Sequence, residues 1–127
     1  MKNIFPFLFL LYVLSAVFTS CAEKEKPVMC TMEFRTVTIK VDGAPLDEFF
    51  TIRLKSNDTL RLSRENVMEE SVYPVLDDSF QKILEGKTEE FRFIGFKNNV
   101  MVVNEPFIIR ADKCHIEYVS GRRETEY

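Results

Sequence analysis

The chain has 127 residues, 46% of them hydrophobic and 29% charged, which suits one globular domain and excludes two. Seventeen basic and 20 acidic side chains give a formal net charge of −3. This charge is the opposite of the basic footprint that nucleic acid requires, so we predict no nucleic-acid partner.

The first 20 residues differ from the rest of the chain. Lys2 precedes an uncharged apolar run, IFPFLFLLYVLSAVF, at residues 4–18. This run is shorter than the roughly 20 apolar residues that a membrane-spanning helix needs. A positive residue followed by a short apolar segment predicts a cleaved signal peptide over residues 1–20.

The apolar run ends in VFTSC, at Val17 to Cys21. This ending resembles the lipobox of bacterial lipoproteins, in which a small residue precedes an obligatory cysteine. The resemblance implies cleavage after Ser20 and a diacylglycerol on the sulfur of Cys21, which would attach the protein to a membrane. By resemblance to lipoprotein sorting in Gram-negative bacteria, Ala22 implies an outer-membrane lipoprotein that faces the periplasm or the cell surface. The alternative is an ordinary secretory signal that leaves Cys21 as a free thiol.

Residues 21–29, CAEKEKPVM, predict a short tether between the lipid and the fold. Their charges alternate in sign, and Pro27 disfavours a helix. The folded domain is therefore expected over residues 30–127.

Strand patterns dominate residues 30–127. Val37, Ile39 and Val41 alternate on one face, and Met32 and Phe34 alternate with the opposite parity, which predicts a bulge between the two sets. Short β-rich runs recur every 8–12 residues with turn signals between them. This spacing predicts an all-β Greek-key sandwich of about seven strands, immunoglobulin-like or transthyretin-like.

One segment, LDDSFQKILEG, has helical features and predicts a short helix near residues 79–85. Asp78 is expected to cap its N-terminus, with Gln81 completing a capping box, and Gly86 to end it. The preceding VYPVL predicts a strand that Pro74 restricts to a sheet edge.

The chain has three cysteines, so assigning Cys21 to lipid leaves Cys30 and Cys114 as an even pair. We expect Cys30 to open the first strand and Cys114 to open the last, which would place them close enough for a disulfide. The alternative is a pair of buried free thiols that pack as small apolar residues.

Candidate chemical groups are few, and we predict no catalytic residue, no cofactor and no metal ion. His115 is the one histidine, and a zinc site needs three or four ligands at characteristic spacings that are missing around it. We therefore interpret His115 as a structural or solvent-facing residue. Asp77 and Asp78 are adjacent, but helix capping accounts for Asp78 without calcium. No sequence motif of a known catalytic site is present, so an enzyme is not expected.

The phenylalanines that alternate along the strands predict a hydrophobic core, and the alternative is an aromatic lining for a ligand cavity. Apolar residues occupy both faces of two strands, since Phe49 and Phe50 are adjacent and the Ile94–Phe96 run follows directly on Phe93. One ring of these segments is therefore available to a partner.

Residues 30–121, which include VTIKVDGAPL and ADKCHIEYVSG, are similar to small bacterial lipoproteins with a carboxypeptidase-regulatory-like domain, a transthyretin-like β-sandwich. The resemblance implies a non-catalytic accessory fold and supplies no functional residues. We therefore expect a lipid-anchored binding or accessory module of the cell envelope that contacts another protein. The alternative is a lipoprotein that binds a small molecule or glycan, and a hydrolase is the least favoured.

Overall fold

The computed structural model describes residues 24–65 and 67–127. A 3-10 turn at Asp78–Phe80 leads into a single α-helical turn, α1, at Gln81–Leu84. The strands of the described chain are β1 Thr36–Asp42, β2 Glu48–Arg53, β3 Asp58–Leu60, β4 Val72–Asp77, β5 Thr88–Lys97, β6 Val100–Ala111, β7 Ile116–Gly121 and β8 Glu124–Glu126.

The strands form two sheets that pack against each other. One sheet has the order β4-β1-β8, and the other has the order β3-β2-β5-β6-β7. Neighbouring strands are antiparallel except for β1 and β8, which are parallel. The predicted all-β sandwich with one short helix is confirmed, with eight strands in the described chain instead of about seven.

The core lies between the two sheets and follows the alternation read from the sequence. Val37, Ile39 and Val41 are buried on β1, and Phe91 and Phe93 are buried on β5. Each fully buried side chain of this size contributes about 1.5–3 kcal/mol relative to an exposed one, so these rings and branched chains supply much of the stability. Aromatic rings therefore fill the core, as the sequence predicts.

One polar bond crosses the core and fixes how the sheets face each other. The hydroxyl of Thr51 on β2 donates to the carbonyl oxygen of Val75 on β4 at 2.6 Å. On the same strand, Phe49 packs edge to face on Tyr73 with ring centroids 5.2 Å apart. Phe49 and Thr51 thus lie on the inner face of β2, and Phe50, Ile52 and Leu54 share the outer face.

The expectation that Cys30 opens the first strand is wrong. β1 begins at Thr36, and residues 24–35 form an extended segment with no neighbouring strand in the described chain, called the N-terminal strap below. Met32 and Phe34 are exposed, because the strap runs along the end of the sandwich instead of entering a sheet. The bulge lies between Val37 and Thr38, where the register with β4 shifts.

The predicted capping box is also wrong, although the helix itself is present. Asp77, not Asp78, caps the helical turns by accepting from the backbone N–H of Ser79 at 3.0 Å. The side-chain nitrogen of Gln81 donates to the carbonyl oxygen of Asp112 at 2.7 Å. Gly86 has a φ of +69°, which confirms the predicted left-handed residue after the helix.

The last two strands behave as one strand that changes sheets. β7 pairs with the Phe107–Ala111 half of β6, whereas β8 pairs with β1 at Lys40–Asp42. The chain crosses between the sheets at Gly121, which has a φ of +136°. A Cβ atom there would lie 2.7 Å from the ring of Phe107 and from the carbonyl oxygen of Pro106. Only glycine meets both the backbone and the space requirements of this crossing.

The prediction that Pro74 restricts its strand to a sheet edge is confirmed. β4, which contains Pro74, is an edge strand. Asn98 and Asn99 join β5 to β6 with positive φ values of 50° and 62°, as the tight turns of hairpins require. Among the residues that the structure describes, no helix is both long and apolar enough to cross a membrane.

Candidate functional site

The N-terminal strap is joined covalently to the end of the sandwich. Cys30 and Cys114 form a disulfide with Cα atoms 5.3 Å apart, so the predicted pairing is confirmed. Cys114 lies in the turn between β6 and β7 and does not open the last strand. A carboxylate oxygen of Asp112 accepts from the backbone N–H groups of Cys114 and His115, at 2.7 and 2.8 Å, and holds this turn in place.

A buried carboxylate ties the strap to the two sheets. One oxygen of Asp78 accepts from the backbone N–H of Arg35 at 2.8 Å, and the other accepts from the backbone N–H of Ile116 at 2.8 Å. The ring nitrogen Nδ1 of His115 lies 2.7 Å from the same carboxylate. Asp78 thus joins the start of β1 to the start of β7, and we call Asp78 with its partners the Asp78 clasp.

The environment of Asp78 favours its ionised form. Burial alone would raise the pKa of this carboxyl group, because a charge loses solvation there. The backbone N–H groups of Arg35 and Ile116 and the ring of His115 outweigh burial and lower the pKa below its usual value. With Asp78 ionised, Nδ1 of His115 carries the proton and donates to it.

The other ring nitrogen of His115, Nε2, lies 2.9 Å from the hydroxyl of Thr31. Carboxylate, imidazole and hydroxyl therefore follow one another in the order of a catalytic triad. Nucleophilic catalysis also requires a substrate cleft and donors for the developing oxyanion. Thr31 lies on the exposed strap, and neither Thr31 nor His115 lines any of five grooves on the described surface. The geometry is that of a structural clasp, and His115 is buried instead of solvent-facing.

Removing the disulfide is expected to lower the free energy of unfolding by about 2–3 kcal/mol. Closure of an 84-residue loop is worth roughly 4–5 kcal/mol in the entropic model. Part of this free energy is recovered, since Cys30 precedes β1 and, after reduction, the strap before Arg35 gains freedom without opening a sheet. Urea unfolding of the Cys30→Ser/Cys114→Ser variant measures the difference. A loss of the full 4–5 kcal/mol or so would contradict a detachable strap.

A second buried carboxylate, Glu89, lies at the edge of the core. It accepts from Nε and Nη2 of Arg53 at 2.6 and 2.9 Å, which is a two-point ion pair. This pairing lowers the pKa of Glu89 more than burial raises it. Both carboxylate oxygens of Glu89 accept from Arg53. Glu89 therefore has a structural role and offers no free carboxylate for catalysis or metal binding.

The outer side of the five-stranded sheet presents a mixed apolar and charged surface. Phe91 and Phe93 on β5 face the core. Glu90, which precedes Phe91, and Arg92, which lies between the two rings, therefore face outward. Two outward residues at this level come from each of β5, β6 and the segment formed by β2 and the residue after it. We call the six the outer patch: Ile52, Leu54, Glu90, Arg92, Pro106 and Ile108.

The charges of the outer patch lack ionic partners within the described chain. Nη1 of Arg92 donates to the side-chain oxygen of Asn104 at 2.6 Å, and no carboxylate of the described residues pairs with it. Glu90 uses its backbone oxygen to accept from Leu54 N–H, while its carboxylate has neither an ion-pair nor a hydrogen-bond partner in that same part of the chain. Leu54 and Ile108 beside it are 39% and 37% exposed. The outer patch therefore combines apolar area with one unpaired charge of each sign.

Beyond the outer patch, the same sheet surface has charges that are already satisfied. Arg61 lies 5.2 Å from the centre of the Phe50 ring and pairs with Glu48 at 2.8 Å. Arg110 pairs with Glu117 at 2.7 Å. These residues form a polar rim whose charges are neutralised in pairs.

The remaining predicted site residues lie in different places. Cys21, the predicted lipid-bearing residue, and the predicted signal peptide over residues 1–20 lie outside the described residues. Asp77 and Asp78 have separate roles, one as a helix cap and one in the clasp. Among the described residues, no group of three His, Cys, Asp or Glu side chains is arranged to hold a metal ion.

Sequence reasoning missed the Asp78 clasp and the outer patch for different reasons. The clasp joins residues that are far apart in the chain, such as Arg35 and Ile116, so no local pattern indicated it. The outer patch left a signal in EEFRFIGF, where Glu90, Arg92 and Ile94 alternate with the core rings. The alternation identified the core side, but not the unpaired charges on the other side.

Comparisons with known proteins found no matching family model, curated protein or solved structure.

Proposed function

We propose that this protein is a lipid-anchored module of the cell envelope that has no catalytic activity and binds another protein. The outer patch is the observation that carries the binding function, because exposed apolar side chains grouped on one surface mark interaction sites and arginine is enriched at protein interfaces. Arginine surrounded by apolar groups is also a frequent centre of binding energy. The resemblance of the sequence motifs in residues 30–121 to carboxypeptidase-regulatory-like domains would imply an accessory role.

The proposed address follows from the lipobox resemblance at Ser20 and Cys21, with Ala22 favouring the outer membrane of a Gram-negative bacterium. The disulfide supports an oxidising compartment such as the envelope, because cytosolic thiols stay reduced. Cys21 and Cys30 are nine positions apart in the chain, a distance of at most about 32 Å when fully extended. The disulfide would thus hold the end of the sandwich near the membrane.

Intact mass spectrometry of protein extracted from membranes tests the anchor. We expect a chain that begins at Cys21 and carries the mass of attached acyl chains. The Cys21→Ser variant is expected to lack this mass and to leave the membrane fraction, because lipid chains supply the attachment. The Cys30→Ser/Cys114→Ser variant is the matched control and should keep the lipid. An unmodified Cys21 in the membrane-extracted protein would refute lipid anchoring.

Site-specific photocrosslinking in intact envelopes tests the binding surface. A photoreactive residue at Ile52, in the outer patch, is expected to form a protein adduct. The same residue at Thr38, outside the five-stranded sheet, is the matched control and should not form it. Arg92→Glu should abolish the adduct from position 52, because it reverses the charge at the centre of the surface. Equal adducts from both positions, or an adduct that survives Arg92→Glu, would refute the assignment.

A further inference from the structure

The outer patch has an internal order that goes beyond its composition. Ile52, Arg92 and Pro106 are directly opposite one another across β2, β5 and β6, and form one row. Leu54, Glu90 and Ile108 form the next row, since Glu90 is opposite Ile108 and its backbone oxygen accepts from Leu54. Each row therefore consists of a charge between two apolar side chains, and the two central charges have opposite signs.

This order makes the surface complementary to itself. Two copies can be placed with their outer patches facing each other. A two-fold axis then lies midway between the two sheets, runs perpendicular to the strands and passes between the two rows, level with Phe91. Rotation about it places the Arg92 row of one copy over the Glu90 row of the other, and the reverse. Arg92 then meets Glu90 of the second copy twice. Ile52 meets Leu54 of the second copy on one side, and Pro106 meets Ile108 of the second copy on the other.

We propose that the protein bound by the outer patch is a second copy of this chain, packed face to face through the five-stranded sheets. The inference rests on the proposed function, because it names the partner of the same surface. Sheets that pack face to face lie about 10 Å apart with strands aligned to within about 30°, and antiparallel strands about this axis satisfy that geometry.

Charge complementarity is what favours a second copy over an unrelated occupant. The charges on the rim, Arg61 with Glu48 and Arg110 with Glu117, are neutralised within each chain and oppose no close approach. Glu90 and Arg92 are the pair left to be satisfied, and they satisfy each other reciprocally across the axis. The apolar residues on both sides shield these ion pairs from water, which strengthens them.

The dimer is expected to be weak in solution. The outer patch consists of six residues, whereas each partner contributes roughly 20–30 residues to a standard interface. Anchoring by lipid would confine the copies to one surface and raise their effective concentration, which favours association without new contacts.

Sedimentation equilibrium of the full-length protein in density-matched detergent tests the inference, with reversed charges as the variants. Wild type is expected to show a concentration-dependent monomer–dimer equilibrium that high salt weakens. Arg92→Glu and Glu90→Arg should each raise the dissociation constant by about tenfold or more, because each places like charges together. The Glu90→Arg/Arg92→Glu double variant should recover to within about threefold of wild type, because it restores both pairs with swapped polarity. Lys82→Glu, on the exposed side of α1, is the control and should leave the equilibrium unchanged.

Urea unfolding of each variant confirms that the sandwich is intact before the equilibria are compared. A wild-type monomer at all concentrations would overturn the second-copy inference, and so would a double variant that stays as weak as the single ones. Either result leaves the proposed function standing if the adduct from position 52 forms with another protein. Loss of both the dimer and the adduct would refute the proposed function as well.

Discussion

Replacing Asp78 with alanine is expected to lower the free energy of unfolding by about 3–5 kcal/mol. The carboxylate accepts from the backbone N–H groups of Arg35 and Ile116 and from the ring of His115. Removing it leaves two backbone donors unpaired and His115 without its partner in a site that is more than nine-tenths buried. Urea unfolding at neutral pH measures the loss.

The same residue predicts a pH dependence with a definite sign. The folded state lowers the pKa of Asp78, so its contribution is complete above the unfolded pKa of about 4. The contribution is lost as the pH falls through the lower, folded pKa. Asp78→Asn keeps the size of the side chain but cannot ionise. The difference in stability between wild type and Asp78→Asn should therefore be largest at neutral pH and shrink in acid.

Asp77→Ala is the matched control for this prediction. Asp77 is adjacent and accepts from Ser79 at the start of the helical turns, so its loss should cost only about 1 kcal/mol. Equal losses for the two aspartates would contradict the clasp. A difference between wild type and Asp78→Asn that stays constant with pH would contradict the ionised state of Asp78.

Replacing Gly121 with alanine is expected to destabilise the fold by about 3–5 kcal/mol, and the cost has two sources. A φ of +136° is strained for any residue with a Cβ, at about 1–3 kcal/mol. The new methyl group would also lie 2.7 Å from the Phe107 ring and from a backbone oxygen. Such overpacking costs a further 1–3 kcal/mol or so, because Phe107 is fully buried and cannot move freely.

Gly86→Ala separates strain from overpacking. Gly86 also has a positive φ, of +69°, but apart from its two chain neighbours no described residue has an atom within 4 Å of the position that an added methyl group would take. This substitution should cost only about 1 kcal/mol, which is the strain of a left-handed residue alone. Thermal unfolding of both variants against wild type gives the comparison. If the two substitutions were equally costly, the contact with Phe107 would not matter to the crossing between the sheets.

The sequence predicted the fold class because each signal was local. The alternation of Val37, Ile39 and Val41 identified a strand with one buried face, and Pro74 marked an edge. The start of β1 was predicted too early, because Met32 and Phe34 continue the β pattern although the described chain offers no neighbouring strand for them. A strand needs a partner, and local sequence does not name one.

The candidate sites were harder to predict, because they depend on which strands become neighbours. Asp78 was interpreted as a helix cap, a role that its neighbour Asp77 fills, while Asp78 binds groups from β7 and the strap. The outward direction of Glu90 and Arg92 followed from alternation along β5. The match between their two rows required the register with β2 and β6, which sequence alone did not supply.

The parallel pair of β1 and β8 determines when the sandwich can be completed. Lys40 and Glu124 are bonded across this pair although they lie 84 positions apart, which is also the separation of the two disulfide cysteines. As the chain is made from its N-terminus, β1 keeps one edge open until β8 has been synthesised. Contacts between such distant segments form slowly, and an unpaired edge can join other chains in the meantime. We therefore expect folding to end in one late step. In that step β8 pairs with β1, and Cys114 comes within bonding distance of Cys30.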